Sequence, residues 1–570
     1  MKASDKIYQI LSQRISTAYM FSGGSIMGLI DKFKYNKIKY YIPTSEASAG
    51  FCSIGHNKSL NRLDSVIITT SGPGLTNILT PLADAYCDRV PLMVISGDVS
   101  TEMMGKNSFQ EAPSIDLTKP ITNWNHTLNK SDNIDEIFNH AFNLTKENKQ
   151  VHINIPKDVL FNTYDESINK SNNQNQIELD NNLIELDNNL IRSVADIINN
   201  SNKPVLYIGR GCIESANELK VLAFKSTIPV TTTLHGVGII EETSYLSLKM
   251  VGMHGSVRAN MAIQESDCII CIGARFDDRT VGNIKYYAPN AKHIIHINNN
   301  HSDFNKVLNH TINIYGDSKY IINQLINHIK PRYNEEWLKY LDIYNINFNY
   351  DDSTLKQQYI IKQIDFKLNT LNLKHKTIFT TGVGNHQMYV AQLITHLFPN
   401  RLITSGSLGT MGAGNSMAIG AKIANPDKIV ISIDGDQSFN MLNDLKMIQN
   451  YKIPIKIVIM NDSKQSMVNV WEKLFFNNVI ATESKNPDYE LLAKSYQIKA
   501  ITIDKTMDSN TVDQLIEQFI QYDMSEPILL NCIIDSDFCF PLVPPGNALN
   551  DMITYENFHE KKINSNTAPS

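Results

Sequence analysis

The feature that most constrains this chain is a pair of apolar segments that each stop on oxygen-bearing side chains. Ile429-Val430-Ile431-Ser432-Ile433 runs into Asp434-Gly435-Asp436, and Ile455-Lys456-Ile457-Val458-Ile459-Met460 runs into Asn461-Asp462. A helix-length stretch and Pro454 lie between them. Strands joined by a crossover of that length pair in parallel. Both segment ends then fall at the carboxyl edge of one sheet, where parallel sheets build their sites. Gly435 allows the chain to turn sharply. Asp436 and Asp462 are hard oxygen ligands of the kind Mg²⁺ shares with phosphates. Just upstream, Ser405-Gly406-Ser407-Leu408-Gly409-Thr410-Met411-Gly412-Ala413-Gly414 offers close backbone approach to a phosphate-bearing ligand. The small residues Met417-Ala418-Ile419-Gly420-Ala421 behind it read as a tightly packed helix.

The same alternation of strand and helix fills the rest of the chain, and 570 residues are too many for one core. The expected fold class is α/β, with three doubly wound parallel-sheet domains. Residues 1–165 form the first, with strand signals at Tyr40-Tyr41-Ile42-Pro43, Ser65-Val66-Ile67-Ile68-Thr69-Thr70, Pro91-Leu92-Met93-Val94-Ile95-Ser96-Gly97 and Val151-His152-Ile153-Asn154-Ile155. Residues 166–190 read as a polar linker holding a duplicated heptad, IELDNNL, at 177–183 and 184–190. Residues 191–335 form a central unit that opens with a strand and Gly-rich turn, Pro204-Val205-Leu206-Tyr207-Ile208-Gly209-Arg210-Gly211. Residues 356–545 form the third domain, and 554–570 a polar tail.

With 42% hydrophobic and 19% charged residues, the composition is that of a soluble globular protein, and a net charge of -6 gives no sign of nucleic-acid binding. No apolar run is long enough for a bilayer, so no membrane partner is expected. No targeting peptide is seen, which points to the cytoplasm or another reducing compartment. Of the seven cysteines, Cys268 and Cys271 read CxxC. They lie inside the apolar strand Cys268-Ile269-Ile270-Cys271-Ile272, so we expect buried thiols and not a metal or redox pair.

Gly435-Asp436 followed by Asn461-Asp462 resembles the GDG…NN signature for thiamine diphosphate and metal. The flanking residues 404–412 resemble those of acetolactate (acetohydroxyacid) synthase catalytic subunits. Other segments agree in order across about residues 3–553. They include Gly23-Gly24, Ser71-Gly72-Pro73-Gly74-Leu75-Thr76-Asn77, Phe109-Gln110-Glu111, Ile155-Pro156-Lys157-Asp158, Gly252-Met253-His254-Gly255-Ser256, Gly273-Ala274-Arg275-Phe276-Asp277-Asp278-Arg279, Gly382-Val383-Gly384-Asn385-His386-Gln387-Met388, and Met467-Val468 with Trp471-Glu472.

The resemblance implies a catalyst that decarboxylates pyruvate on thiamine diphosphate and joins the remaining two-carbon unit to a second 2-keto acid. It implies Glu46 as the carboxylate against the cofactor's pyrimidine ring, favoured there by burial in an apolar pocket. Gln110 and Lys157 would serve the reaction centre, and Gly23, Phe109 and Trp471 the substrate. Gly384, Asn385, His386, Gly409, Met411, Gly435, Ser438 and Met467 would contact thiamine diphosphate. Asp436, Asp462 and the main chain at Lys464 would hold Mg²⁺, with the Lys464 ammonium close to the diphosphate. Thr233, Leu234, His254, Gly255, Arg275, Asp277 and Arg279 would contact FAD, in a mainly structural role. A homodimer or tetramer is implied, with sites between the first domain of one subunit and the last of another. A small regulatory subunit is a further candidate partner.

The chain departs from the family pattern in places. Gln437 replaces the final Gly of GDG, and Asp462 replaces the second Asn. Asn385 stands for Gln and Asn415-Ser416 for Leu-Pro, and the run from Asp436 to Asp462 is one residue short. Ser45-Glu46-Ala47-Ser48-Ala49 stands for His-Glu-x-Gly-Gly. Two other readings therefore stay open: a different thiamine-dependent keto-acid decarboxylase or oxidase, and a non-catalytic homologue.

Overall fold

A computed structural model describes residues 1–164, 187–345 and 355–557. It contains three six-stranded sheets, one for each expected domain. The first holds β1 (Thr17–Met20), β2 (Lys39–Tyr41), β3 (Ser65–Thr69), β4 (Leu92–Asp98), β5 (Trp124–Thr127) and β6 (Gln150–Pro156), in the order β2-β1-β3-β4-β6-β5. The central sheet holds β7 (Pro204–Ile208), β8 (Val230–Thr232), β9 (Ser247–Met250), β10 (Cys268–Ile272), β11 (His293–Asn298) and β12 (Ile312–Tyr315), ordered β12-β11-β10-β7-β8-β9. The third holds β13 (Thr377–Thr381), β14 (Leu402–Thr404), β15 (Ile429–Gly435), β16 (Lys456–Asn461), β17 (Lys499–Ile503) and β18 (Ile528–Ile533), ordered β14-β13-β15-β16-β18-β17.

Every strand pair is parallel. The near-continuous apolar runs of β3, β10 and β16 follow from this, because a parallel sheet is covered on both faces. The first and third sheets share one topology, each beginning at its second strand and reversing after its fourth. The central sheet has the Rossmann-type order, with its switch point beside β7.

Two boundaries differ from the sequence expectation. The linker yields its last residues to the helix Asn188–Asn200, whose start is capped by the Asp187 carboxylate accepting from the Asn189 N–H. The first heptad copy and most of the rest of the linker lie outside the described residues. The end of the third domain returns to the central one: the Val543 N–H donates to the Met253 carbonyl at 2.8 Å, and Asn283 N–H to the Asn547 carbonyl at 2.9 Å. Val543, Leu549 and Met552 are buried in the central domain's core, so burial of this apolar trio overrides chain order. Cys268 and Cys271 are buried free thiols, as expected. Among the described residues no helix is long and apolar enough to cross a membrane.

The first and third domains share a core. Its axis is the contact of the helix Glu46–Leu60 with the helix Ala413–Ala424. Ser45 caps the former by accepting from the Ser48 N–H, and Asn61, at φ 54°, ends it. The two helices touch backbone to backbone, since a Cβ on Gly420 would lie 1.8 Å from the Cys52 carbonyl oxygen. Gly420→Val will therefore lower stability by at least about 3 kcal/mol, because the obstructing atom is main chain and cannot swing aside; differential scanning calorimetry will show the drop.

A second test concerns His152 in β6, boxed between the Ser96 hydroxyl at 2.8 Å and the Thr118 hydroxyl at 2.9 Å. Burial pushes its imidazole down from 6.5 to about 3. The unfolded chain takes up that proton near its ordinary pKa and the folded chain does not. The stability is thus fully present above that pH and falls as pH drops toward the folded value. In urea titrations below pH 6.5, His152→Gln will lose stability less steeply than the wild type, by up to about 1.4 kcal/mol per pH unit for one proton.

Candidate functional site

Asp436 and Asp462 leave the carboxyl ends of the neighbouring strands β15 and β16, where Gly435 is paired with Met460. Asp436 is buried, and its Oδ2 accepts from the Ser463 N–H at 2.8 Å and from the Asn486 amide. Burial pushes its carboxyl up to about 6; the Asn486 donor works against this, and the charge of Asp462 adds to it. Asp462 is half-buried. Its Oδ2 accepts from the Ser466 hydroxyl and from the Ser536 hydroxyl at 2.8 Å, and its Oδ1 from the Lys464 N–H at 3.2 Å. Two carboxylates drawn together without a cation are mutually unfavourable. The Lys464 ammonium does not relieve them: it is directed to Glu483, at 3.5 Å.

Beside this pair lies a recess lined by unpartnered polar atoms. His386 Nε2 sits 3.3 Å from Asp434 Oδ1, yet this nitrogen and Asp434 Oδ2 are both buried without a hydrogen-bond partner. Gly384, at φ 147°, leads into the helix that begins at Asn385, which a side chain would hinder. Ser438 accepts from the Gly412 N–H at 2.8 Å, fixing the turn that carries Gly409 and Met411. Orphaned polar atoms, backbone free of Cβ atoms and two carboxylates together fit a magnesium diphosphate. Asn385 donates to the Asp537 carbonyl at 3.2 Å, so its amide is engaged by the chain itself.

The 405–412 turn is held from outside its own domain by residues that the sequence reading did not single out. Asp88 is buried and accepts from the Gly406 N–H at 3.1 Å and the Ser407 N–H at 2.9 Å. The buried Lys58 ammonium lies 3.1 Å from it, and His235 Nε2 of the central domain 2.9 Å. Burial alone would raise Asp88, but the neighbouring His235 and Lys58 and the Gly406 N–H hold its carboxyl well below the usual range. Its neighbour Asp84, pushed up to about 6 by burial and by Asp88, accepts from the hydroxyls of Ser405 and Thr410. No local pattern in the sequence links positions this far apart.

In the first domain, parallel strands bring the expected residues to one carboxyl edge. Gly23 follows β1 and packs on Thr70. Glu46 follows β2 and accepts from the Asn77 amide at 3.0 Å. Gln110 lies against Gly72 after β3, and Lys157 is exposed directly after β6. Glu46 is only half-buried and Phe109 is 89% exposed, so the apolar enclosure expected around Glu46 is not supplied by its own chain. Asp98, at the end of β4, also belongs to this edge; it accepts from the Asn154 amide at 2.6 Å.

Thr233, Leu234, His254, Gly255 and Arg275 likewise follow β8, β9 and β10, at the carboxyl edge of the central sheet. His254 Nε2 is buried and unpartnered, and burial lowers its imidazole to about 4, while the Arg275 guanidinium donates to the Ser407 hydroxyl at 2.8 Å. The Asp277 carboxylate caps the short helix Asp278–Val281, and the Arg279 side chain is largely exposed beside Asp278. Trp471 packs half-buried against Phe475 and a small cluster formed by Phe540, Leu542 and Ile553, while Met467 lies on the same short helix.

Comparison with known proteins gives three family matches. They are the thiamine pyrophosphate enzyme N-terminal TPP-binding domain over residues 1–118, the central domain over 191–325 and the C-terminal TPP-binding domain over 382–532. Among curated proteins, the chain is 34% identical to the mitochondrial acetolactate synthase catalytic subunit of Saccharomyces cerevisiae, over 95% of this chain and 82% of that one. It is 34% identical to the probable acetolactate synthase large subunit of Methanococcus aeolicus, over 97% and 95%. It is 32% identical to the chloroplastic acetolactate synthase of Arabidopsis thaliana, over 97% and 84%.

If the Asp436 edge holds a cation and diphosphate, adding Mg²⁺ with thiamine diphosphate at a hundred times the dissociation constant will stabilise the protein by about 2.7 kcal/mol. Asp436→Ala will abolish that gain, as read by the thermal midpoint with and without ligand.

Proposed function

The chain belongs to the thiamine pyrophosphate enzymes and, among them, to the acetolactate synthases; from that premise we propose that it condenses two 2-keto acids, with loss of carbon dioxide from the first. The observation that carries this reading is the carboxyl-edge constellation of Asp436, Asp462 and the 405–412 turn, with its orphaned His386 and Asp434 atoms. When bound, thiamine diphosphate supplies the carbanion equivalent that decarboxylation of a 2-keto acid requires.

The chain's own residues do the rest. Asp436, Asp462 and the main-chain carbonyl of Lys464 would hold Mg²⁺, leaving positions for phosphate oxygens. Glu46, fixed at Oε2 by Asn77, would exchange a proton through Oε1 with the pyrimidine ring. Gly23 and Phe109, with Gln110 and Lys157, would face substrate from the first domain, and Met467 and Trp471 from the third. The half-exposed Glu46 supports closure of the site by the third domain of a second subunit, hence a homodimer or larger even assembly. The unpartnered His254 Nε2 and the Arg275 guanidinium at the carboxyl edge of the central sheet support FAD there. The yeast relative is called a catalytic subunit, which supports a separate regulatory partner.

Incubated with pyruvate, Mg²⁺, thiamine diphosphate and FAD, the protein will form acetolactate; acetaldehyde or acetate as the product would place it with the keto-acid decarboxylases or oxidases. Glu46→Gln will lower turnover by about two to four orders of magnitude with thiamine diphosphate affinity kept in calorimetry, and undiminished turnover would remove Glu46 from its role.

A further inference from the structure

The two departures in the metal motif, Gln437 for glycine and Asp462 for asparagine, meet at one point in the structure. The Gln437 Nε2 donates to Asp436 Oδ2 at 3.3 Å and to Asn486 Oδ1 at 3.2 Å, and its Oε1 accepts from the Ser484 hydroxyl at 2.8 Å. Glycine has no atoms with which to make any of these bonds. Asn486, which returns to β15 from a distant loop, donates to Asp436 Oδ2 and to Asn461 Oδ1 at 2.8 Å. The excursion between Ser463 and Ser484 carries Met467 and Trp471. It is closed at its neck by the Ser484 N–H donating to the Ser463 carbonyl at 3.0 Å. Both ends of that neck reach Asp436, one through the Ser463 N–H and the other through Gln437.

We propose that Gln437 and Asp462 are a compensating pair, in which the Gln437 carboxamide, acting with Asn486, positions Asp436 for a divalent cation in the presence of a second carboxylate. The inference rests on the reading that Asp436 and Asp462 hold that cation. Its physical basis is charge. With asparagine in the second position, a single carboxylate meets the cation and the diphosphate. Asp462 adds a negative charge that pushes on Asp436. Donors aimed at Asp436 Oδ2 hold it in place against that push and spread its charge, and hydrogen bonds to a charged acceptor are the stronger kind. Gln437 touches neither substrate nor cofactor in this scheme; it is a positioning residue, and it also ties the substrate-side excursion to the metal edge.

A double-mutant cycle tests this. Apparent Mg²⁺ affinity is measured by calorimetry, with thiamine diphosphate present, in the wild type, Gln437→Gly, Asp462→Asn and the double variant. Gln437→Gly will weaken Mg²⁺ about tenfold in the wild-type background, and less than about threefold in the Asp462→Asn background. Gln437→Met, similar in length but without a donor, will lose as much as Gln437→Gly, and its thermal midpoint without cation reports that the fold is kept. In steady-state kinetics the apparent KM for Mg²⁺ will rise while kcat at saturating Mg²⁺ holds. Equal losses in both backgrounds, or unchanged affinity in Gln437→Met, overturn the pairing while leaving the cation site standing. A wild type that takes up no cation overturns the site reading and the pairing together.

Discussion

The Asp88 carboxylate is where the three domains meet. It comes from the first domain with its partner Lys58. It accepts from two N–H groups of the third domain's glycine-rich turn, and it faces His235 of the central domain. A buried carboxylate is tolerable only when paired and hydrogen-bonded. The cluster therefore demands that all three domains be in place at once. Without Asp88, the Gly406 and Ser407 N–H groups would lose the acceptor that shapes the glycine-rich turn, and Lys58 would be left as an unmatched buried charge. Arg210, which donates to the Arg89 carbonyl, and Arg89, which reaches Asp303 at 2.7 Å, extend the same seam between the first and central domains.

Around that seam the architecture repeats one solution. A parallel sheet gathers every strand's carboxyl end along one edge, so residues scattered through the sequence converge without a long loop. The first and third sheets share a topology and pack through backbone-close helices, whereas the central sheet follows the Rossmann-type order. The carboxyl edge of the third domain carries Asp436 and Asp462, and the surrounding amides and hydroxyls of Asn486, Gln437, Ser466 and Ser536 gather on the two carboxylates. Such dense solvation by the chain itself is what a site with an extra negative charge requires.

Much of this was legible in the linear chain. The apolar runs ending in Asp434-Gly435-Asp436 and Asn461-Asp462 implied parallel strands and a shared edge, and β15 and β16 pair in that way. Periodicity, turn residues and short spacing are local signals, and the sheet edge converts them directly into geometry. What escaped the reading depends on contacts between distant positions. Asn486, Asp88 and His235 carry no local mark of their role. The Asp277 carboxylate caps the short helix Asp278–Val281, a role that its local spacing to Thr280 does carry. The third domain was expected to run on to residue 545, but from Val543 the chain lies on the central one, where Val543, Leu549 and Met552 find their burial.

The sequence by itself indicated three parallel α/β domains and the carboxyl-edge placement of Asp436, Asp462 and the glycine-rich turn, because apolar strands joined by helix-length crossovers pair in parallel. Tertiary structure alone decided which donors hold those carboxylates, which buried ion locks the domains together, and how far Glu46 is covered. Those outcomes depend on desolvation and on atoms brought within hydrogen-bond distance only after the chain has closed on itself.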